Sequence, residues 1–207
     1  MSAPAPDGRH RILAVAQRIT FSRGLSALRM SDLADELGMS KNTLYAYYPS
    51  KEAMLVAMMD AHHHHYNTLF LAVLQDRASS FLDRLQQTMR LGWEINGEMS
   101  AEVMQDFQRH APGLLYDFEQ RKATAVQTYF RQLLAEGQRL GLLREPVSLP
   151  IVADILMNAI TYHLTPGNLQ GREYSVPEAF TTYYQLLFAG LLNETGSQQY
   201  LTTLEKA

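Results

Sequence analysis

Apolar positions recur every three to four residues along most of the chain, and no stretch alternates in the way a half-buried strand does. From Arg9 to Arg23 the residues Ile12, Leu13, Ala16, Ile19 and Thr20 share one helical face, and Gly24 follows the last turn. Met30, Leu33, Ala34 and Leu37 repeat the i, i+3, i+4, i+7 spacing, and Leu44 and Tyr48 mark the inner side of a second short segment. A long helix opens at Ser50 and carries Met54, Leu55, Met58, Met59, Tyr66, Leu69, Phe70 and Leu74. Ser79 or Ser80 can cap the next, which runs through Phe81, Leu85, Met89 and Trp93 to a break at Asn96-Gly97. Ser100 opens another through Met104 and Phe107, stopped by Ala111-Pro112-Gly113, and a long helix spans about Leu114 to Leu140. The last two lie at 149–164 and 176–192. The pattern predicts an all-α protein of about nine helices.

Residues 30–51 hold the most specific local chemistry. Gly38 directly after Leu37 suits a helix C′ position, where positive φ costs a glycine nothing. Met39 can fill the apolar gap, Ser40 has the hydroxyl an N-cap needs, and Pro49 keeps Tyr48 out of the helical region. Two short helices joined this tightly read as a helix-turn-helix. With Leu44 and Tyr48 inward, the second helix leaves Lys41, Asn42, Thr43, Tyr45 and Tyr47 outside. Lys and Asn can read purine edges, and Thr can hydrogen-bond or touch a thymine methyl.

The stretch resembles the DNA-binding domain of the TetR family of transcriptional regulators. The resemblance lies in Leu33-Ala34, Leu37-Gly38-Met39-Ser40, Thr43-Leu44-Tyr45, Tyr48 and Ser50-Lys51. It implies that Lys41, Asn42, Thr43 and Tyr47 face bases, and that Tyr45 and Lys51 hold phosphates. The chain departs from the family at Arg29, where many members have Thr at the start of the first motif helix, and at Tyr47, where many have His. Arg29 can still bind phosphate, and Ser31, two residues on, offers an alternative cap; both are counted in the DNA-binding set. The organisation expected is a flexible tail at 1–8, a helix-turn-helix domain at 9–52 and a larger helical effector-binding and dimerisation domain at 53–207.

Composition narrows the classes without naming one. The 207 residues are 46% hydrophobic, ample for a core, and contain no cysteine, which excludes disulfides and thiolate metal sites and fits a reducing cytoplasm. No apolar run reaches the ~20 residues needed to span a bilayer, and the N-terminus lacks the regions of a signal peptide. The net charge of −3 hides a split: residues 1–52 carry seven Lys or Arg against five acids, a surplus of two, which leaves −5 for the rest. A modest positive lobe suits a protein that docks one end on phosphates. No carboxylate pair, nucleophile motif or glycine-rich phosphate loop stands out, so an enzyme is not expected, nor is a cofactor.

The helices at 149–164 and 176–192 are apolar over most of their circumference, which requires burial on more than one side. The second side is expected to be another copy of the chain, and the TetR resemblance implies a homodimer closed by a four-helix bundle of these helices, reading a palindromic double-stranded DNA operator. Bulky, adaptable Met89, Trp93, Met104, Phe107, His110, Tyr129, Tyr162 and His163 suit a cavity for a mostly apolar small-molecule effector, although the same spacing also describes ordinary core. The family habit implied is repression, released when the effector binds. An alternative keeps the DNA-binding lobe but makes the C-terminal domain a protein-interaction module with a filled core. The run His62-His63-His64-His65 puts His62 and His65 inward and His63 and His64 outward. No third ligand accompanies the inward pair, so no metal is expected; the pair could make the region pH-sensitive, since an unperturbed histidine titrates near ~6.5.

Overall fold

The computed structural model describes residues 6–159, 163, 164, 166–169 and 171–204. It is all-α. The helices are α1 (Pro6–Arg23), α2 (Met30–Glu36), α3 (Lys41–Tyr47), α4 (Lys51–Gln75), α5 (Phe81–Gly97), α6 (Ala101–His110), α7 (Pro112–Arg139), α8 (Leu149–Asn158), α9 (Pro166–Leu169), α10 (Val176–Leu191) and α11 (Glu194–Leu204). A 3-10 turn at Leu25–Ala27 links α1 to α2, and the β-type pairing among the described residues is an isolated bridge between Leu143 and Leu192. No described helix is long and apolar enough to cross a membrane.

The chain packs as two compact units, and neither is a continuous segment. The first holds Met1–His65 and Glu98–Glu119, the second Tyr66–Gly97 and Gln120–Ala207. In the first unit Ile12 and Ala16 of α1, Leu33 of α2, Leu44 of α3 and Met54, Met58 and Met59 of α4 are fully buried together with Phe107 of α6. Thr20 is buried among them at no polar cost, because its hydroxyl donates to the Ala16 carbonyl at 2.7 Å. His62 is 2% exposed, edge-on to Phe21 and tilted against Phe118 at ring separations of 5.0 and 5.4 Å. Its Nδ1 lies 3.2 Å from Gln17 Nε2 and its Nε2 3.3 Å from Glu98 Oε2. His65, expected to face inward with His62, is exposed. The buried stripe of α4 advances by four residues, from Met58 to His62 to Tyr66, and this step leaves His63 at the margin and His64 and His65 exposed.

The second unit is centred on Phe70, Leu85, Phe130, Leu133, Leu134, Leu156, Tyr184 and Phe188. Helices α5 and α7 meet at Gly137, where a Cβ would fall 2.5 Å from Phe81 Cζ. Ser80, rather than Ser79, caps α5 in a reciprocal box with Asp83, whose amide donates to Ser80 Oγ at 3.1 Å while its carboxylate accepts the Ser80 amide at 3.1 Å. After α7, Gly141 takes φ +66° and the chain turns so that Arg144 N–H donates to the Leu191 carbonyl at 2.9 Å. Two helices go beyond the nine expected: the single turn α9, and α11, which begins where Asn193 Oδ1 accepts the Gly196 amide at 2.9 Å. Helix α8 is regular to Asn158, short of the expected 164; residues 160–162 lie outside the described residues.

One ion pair is built into this core. Arg84 is 3% exposed, its Nη1 donating to Glu136 Oε2 at 3.0 Å and to the Leu74 carbonyl at 3.2 Å, with Nη2 on Glu136 Oε1. The Arg84 guanidinium holds the Glu136 carboxyl below its ordinary pKa of 4.5. A carboxylate depressed in this way stabilises the fold fully above its unfolded pKa, and the contribution fades as pH falls through the folded value. Glu136→Ala leaves a buried guanidinium without its counter-charge and is expected to cost about 3–5 kcal/mol. Urea unfolding from pH 7 to pH 3 checks this: the wild type should lose its advantage over the variant as the medium is acidified below about pH 4.5.

Candidate nucleic-acid interface

The turn between α2 and α3 is closed by its own backbone. Leu37 ends α2 in the helical region, Gly38 takes φ +66°, and Gly38 N–H and Met39 N–H donate to the carbonyls of Asp35 at 3.1 Å and Ala34 at 3.0 Å. This is the Schellman pattern, which needs a residue without a Cβ at the left-handed position. Ser40 is extended at φ −71° and ψ 152°, and its Oγ accepts the Thr43 amide at 3.0 Å, capping α3. Tyr48 leaves the helix at φ −136° ahead of Pro49, and Ser50 Oγ accepts the Ala53 amide at 3.1 Å to start α4.

These constraints fix the face that α3 presents. Leu44 is fully buried and Tyr48 is 5% exposed, with the Arg9 guanidinium 5.5 Å above the Tyr48 ring. Lys41, Asn42 and Thr43 are exposed in consecutive positions and Tyr45 is 45% exposed. The Thr43 hydroxyl sits 2.8 Å from that of Ser40. Tyr47 differs from its neighbours: it is half-buried, its ring and hydroxyl lying against Gly8 of α1. Arg29 is exposed at the N-cap of α2 with extended backbone and no side-chain cap bond. Ser31 does not take over as cap; it lies within α2, its hydroxyl donating to Asp32 Oδ1 at 2.9 Å. Lys51 is half-buried at the start of α4, where its Nζ donates to the Leu25 carbonyl at 2.9 Å, and burial pushes its pKa down. Lys41, Asn42, Thr43, Tyr45 and Arg29 thus share the exposed side of one small motif, while Tyr47 and Lys51 stand at its edges.

Two features here have no counterpart in the sequence pattern of the motif. Arg9 reaches over Tyr48, and Asp106 of α6 bonds to the 3-10 turn before α2 through the amide of Ser26 at 2.9 Å and its hydroxyl. Asp106 is 80 residues from Ser26 in sequence, a separation that helical periodicity cannot bridge.

The residues expected to line an effector cavity divide between the units. Met104, Phe107 and His110 belong to the first, where Phe107 is fully buried core and His110 is exposed; Met89, Trp93, Tyr129 and His163 belong to the second. Tyr162 lies outside the described residues. The second unit has a groove of about 590 Å³ between α10 and the segment around α9, lined by His163, Leu164, Leu169, Arg172, Tyr183 and Leu186 among others. No group of three or more His, Cys, Asp or Glu able to hold a metal ion occurs among the described residues.

The pattern described as "Bacterial regulatory proteins, tetR family" matches residues 12–58, from α1 into α4. The chain is 31% identical over 87 residues to the HTH-type transcriptional repressor NemR of Escherichia coli strain K12, a match covering 40% of this chain and 44% of that protein. Over residues 12–58 the chain belongs to the TetR family. It is also 26% identical over 196 residues to the nucleoid occlusion factor SlmA of Photobacterium profundum, covering 88% of this chain and 95% of that protein. A transcriptional regulator from Saccharomonospora viridis, solved in complex with choline, shares the fold with a TM-score of 0.74 at 21% identity, over 92% of this chain and all of that one. The match to NemR spans less than half of that protein.

The Ser40 cap is the polar bond that starts α3. Ser40→Ala is expected to cost about 1 kcal/mol of stability, measured by urea unfolding, with faster amide exchange confined to residues 41–44.

Proposed function

We propose that this chain is a DNA-binding transcriptional regulator that reads a palindromic operator as a homodimer, represses the genes beside it, and is released by a mostly apolar small molecule. The observation that carries the reading is the exposed Lys41-Asn42-Thr43 edge of a helix whose other side is fixed by Leu44 and whose start is fixed by Ser40. Residues at the N-terminal end of the second motif helix are the ones that meet base edges in the major groove. Lys41, Asn42 and Thr43 are assigned to bases and Tyr45 and Arg29 to phosphates. Lys51 joins the phosphate contacts without giving up Leu25, since an ammonium has three donors. Tyr47 reads a base only from the rim of the motif.

Dimerisation follows from α8 and α10. Ile151 and Ile155, one turn apart on α8, are 59% and 49% exposed, and Leu186 of α10 is 71% exposed. Beyond Glu178 the outward positions of α10 are Thr181, Thr182, Gln185, Leu186, Ala189 and Gly190, a face free of charge and small enough for close helix packing. Tyr183 donates to the Ile155 carbonyl at 3.0 Å and ties the two helices together. A dimer that reads a palindrome has to present its two recognition helices about 34–36 Å apart, one turn of duplex. The groove beside this face falls in the range of about 300–1,000 Å³ usual for ligand sites, and its three leucines and two tyrosines favour a mostly apolar occupant, with Arg172 and Glu178 beside them.

A second reading keeps the DNA contact but gives the second unit a protein partner in place of an effector. The relative aligned along 88% of this chain is named a nucleoid occlusion factor, and this favours the reading enough to test. A thermal-shift screen of hydrophobic compounds separates the two: stabilisation by a compound that also releases DNA supports the effector, and a flat response supports the partner.

Selection of bound fragments from a random duplex library is the first experiment, and a palindromic consensus is the expected result. On that consensus, Lys41→Ala and Asn42→Ala should each cost about 1–3 kcal/mol and relax base preference, whereas Tyr45→Phe should weaken all duplexes alike. Equal losses from both classes would refute the division of roles. Leu186→Glu should yield a folded monomer by light scattering, with operator affinity reduced at least tenfold; an intact dimer would move the interface elsewhere.

A further inference from the structure

The link between α1 and α2 is only Gly24 to Arg29, and it sets the angle at which the whole helix-turn-helix leaves α1. Its 3-10 turn begins at Gly24, which has no side chain to cap it and is held at φ +87°, ψ 167°. The first amides of any helical turn need acceptors. Here they come from another element: Asp106 Oδ2 accepts the Ser26 amide at 2.9 Å and Oδ1 accepts the Ser26 hydroxyl. These bonds, Ser26 Oγ first and the amides of Ser26 and Leu25 with it, hold the Asp106 carboxyl below its ordinary pKa. His110 Nε2 stands 3.6 Å from the same carboxylate. On the other side Lys51 Nζ donates to the Leu25 carbonyl at 2.9 Å. Gly24 is required by this arrangement as well as by its φ, because a Cβ would lie 2.8 Å from Asp106 Oδ2.

We propose that Asp106 is a positioning residue for DNA reading: it caps the α1–α2 turn in trans and so holds α2 and α3 at the angle that operator binding requires. The proposal rests on the DNA-binding reading above and extends it to a helix outside the matched motif. Leu25 and Leu28, 4% and 1% exposed, anchor the turn in the core but set only its depth. Directional bonds set its rotation, and Asp106 supplies them from the rim of the unit, where its side chain is 21% exposed. Truncating it therefore removes orientation without opening the apolar core.

The test compares wild type, Asp106→Ala, Asp106→Asn and Ser26→Ala in the full-length chain. Three quantities are read: amide exchange at residues 25–28, thermal midpoint, and affinity for the library-selected duplex and for a scrambled one. Loss of the two charge-assisted bonds to Ser26 predicts exchange at least about tenfold faster at residues 25–28 in Asp106→Ala and affinity for the selected duplex about tenfold weaker. Affinity for the scrambled duplex should stay within about twofold, because phosphate contacts carry it. Asp106→Asn keeps one acceptor and should recover part of both losses, and Ser26→Ala should reproduce part of each. Unchanged binding of the selected duplex despite faster exchange overturns the positioning role. So does equal weakening on both duplexes with a large fall in thermal midpoint, which marks a general structural residue. If the wild type selects no duplex at all, the DNA reading fails and the positioning role with it, while unchanged exchange in Asp106→Ala would refute the cap by itself.

Discussion

A helix of seven residues is far below the roughly 12–15 at which isolated helices become even marginal in water. Helix α3 is that short, and a helix proposed to meet DNA must also keep most of its surface polar and exposed. Its stability has to come from its ends and from one anchor. Ser40 caps the start, extended Tyr48 before Pro49 closes the finish, and Leu44 alone is fully buried within it. The first unit is arranged to receive that leucine: α1, α2 and α4 supply the apolar walls, and the Schellman turn at Gly38 brings α3 in at the required angle.

This dependence on local devices makes the motif legible in the amino-acid sequence. Gly38, Ser40, Pro49 and Ser50 act through their own backbone or within three residues, so each announces itself by type and spacing. The core faces of α1, α2, α5 and α7 follow from periodicity for the same reason. Tertiary bonds between residues far apart stay hidden. Nothing at Asp106 or Ser26 alone signals that one caps the other's turn, and Lys51 gives no hint that its ammonium meets a carbonyl 26 residues earlier. Periodicity misplaces His65 because the residue three positions along a helix falls about 60° behind the starting one and the residue four along about 40° ahead of it, so the two lie about 100° apart, enough to separate core from surface. Helix α11 does have a signal, Asn193 followed by Glu194, but the apolar face behind it is too weak to stand out.

The two cores differ in how they treat polarity. The first unit has a single buried histidine among aromatic rings, whereas the second buries Arg84 on Glu136 and places Lys122 Nζ 3.2 Å from Asn96 Oδ1. Charges buried among helices tolerate few alternative packings, because each displaced partner leaves another unsatisfied. That makes the interior of the second unit directional, while the outward face of α10 beyond Glu178 carries no charge.

The first unit's division into two chain segments bears on how such a protein can be rebuilt. Val103, Phe107 and Phe118 complete the core around Ile12, Leu33 and Met58, yet they are encoded some forty residues after the last residue of the leading segment, with a stretch of the other unit in between. A chimera that joins residues 1–65 to a foreign sensor would carry the recognition helix but leave the apolar backs of α1 and α4 facing water. A working graft needs residues 98–119 as well, so the first unit exchanges only as two pieces.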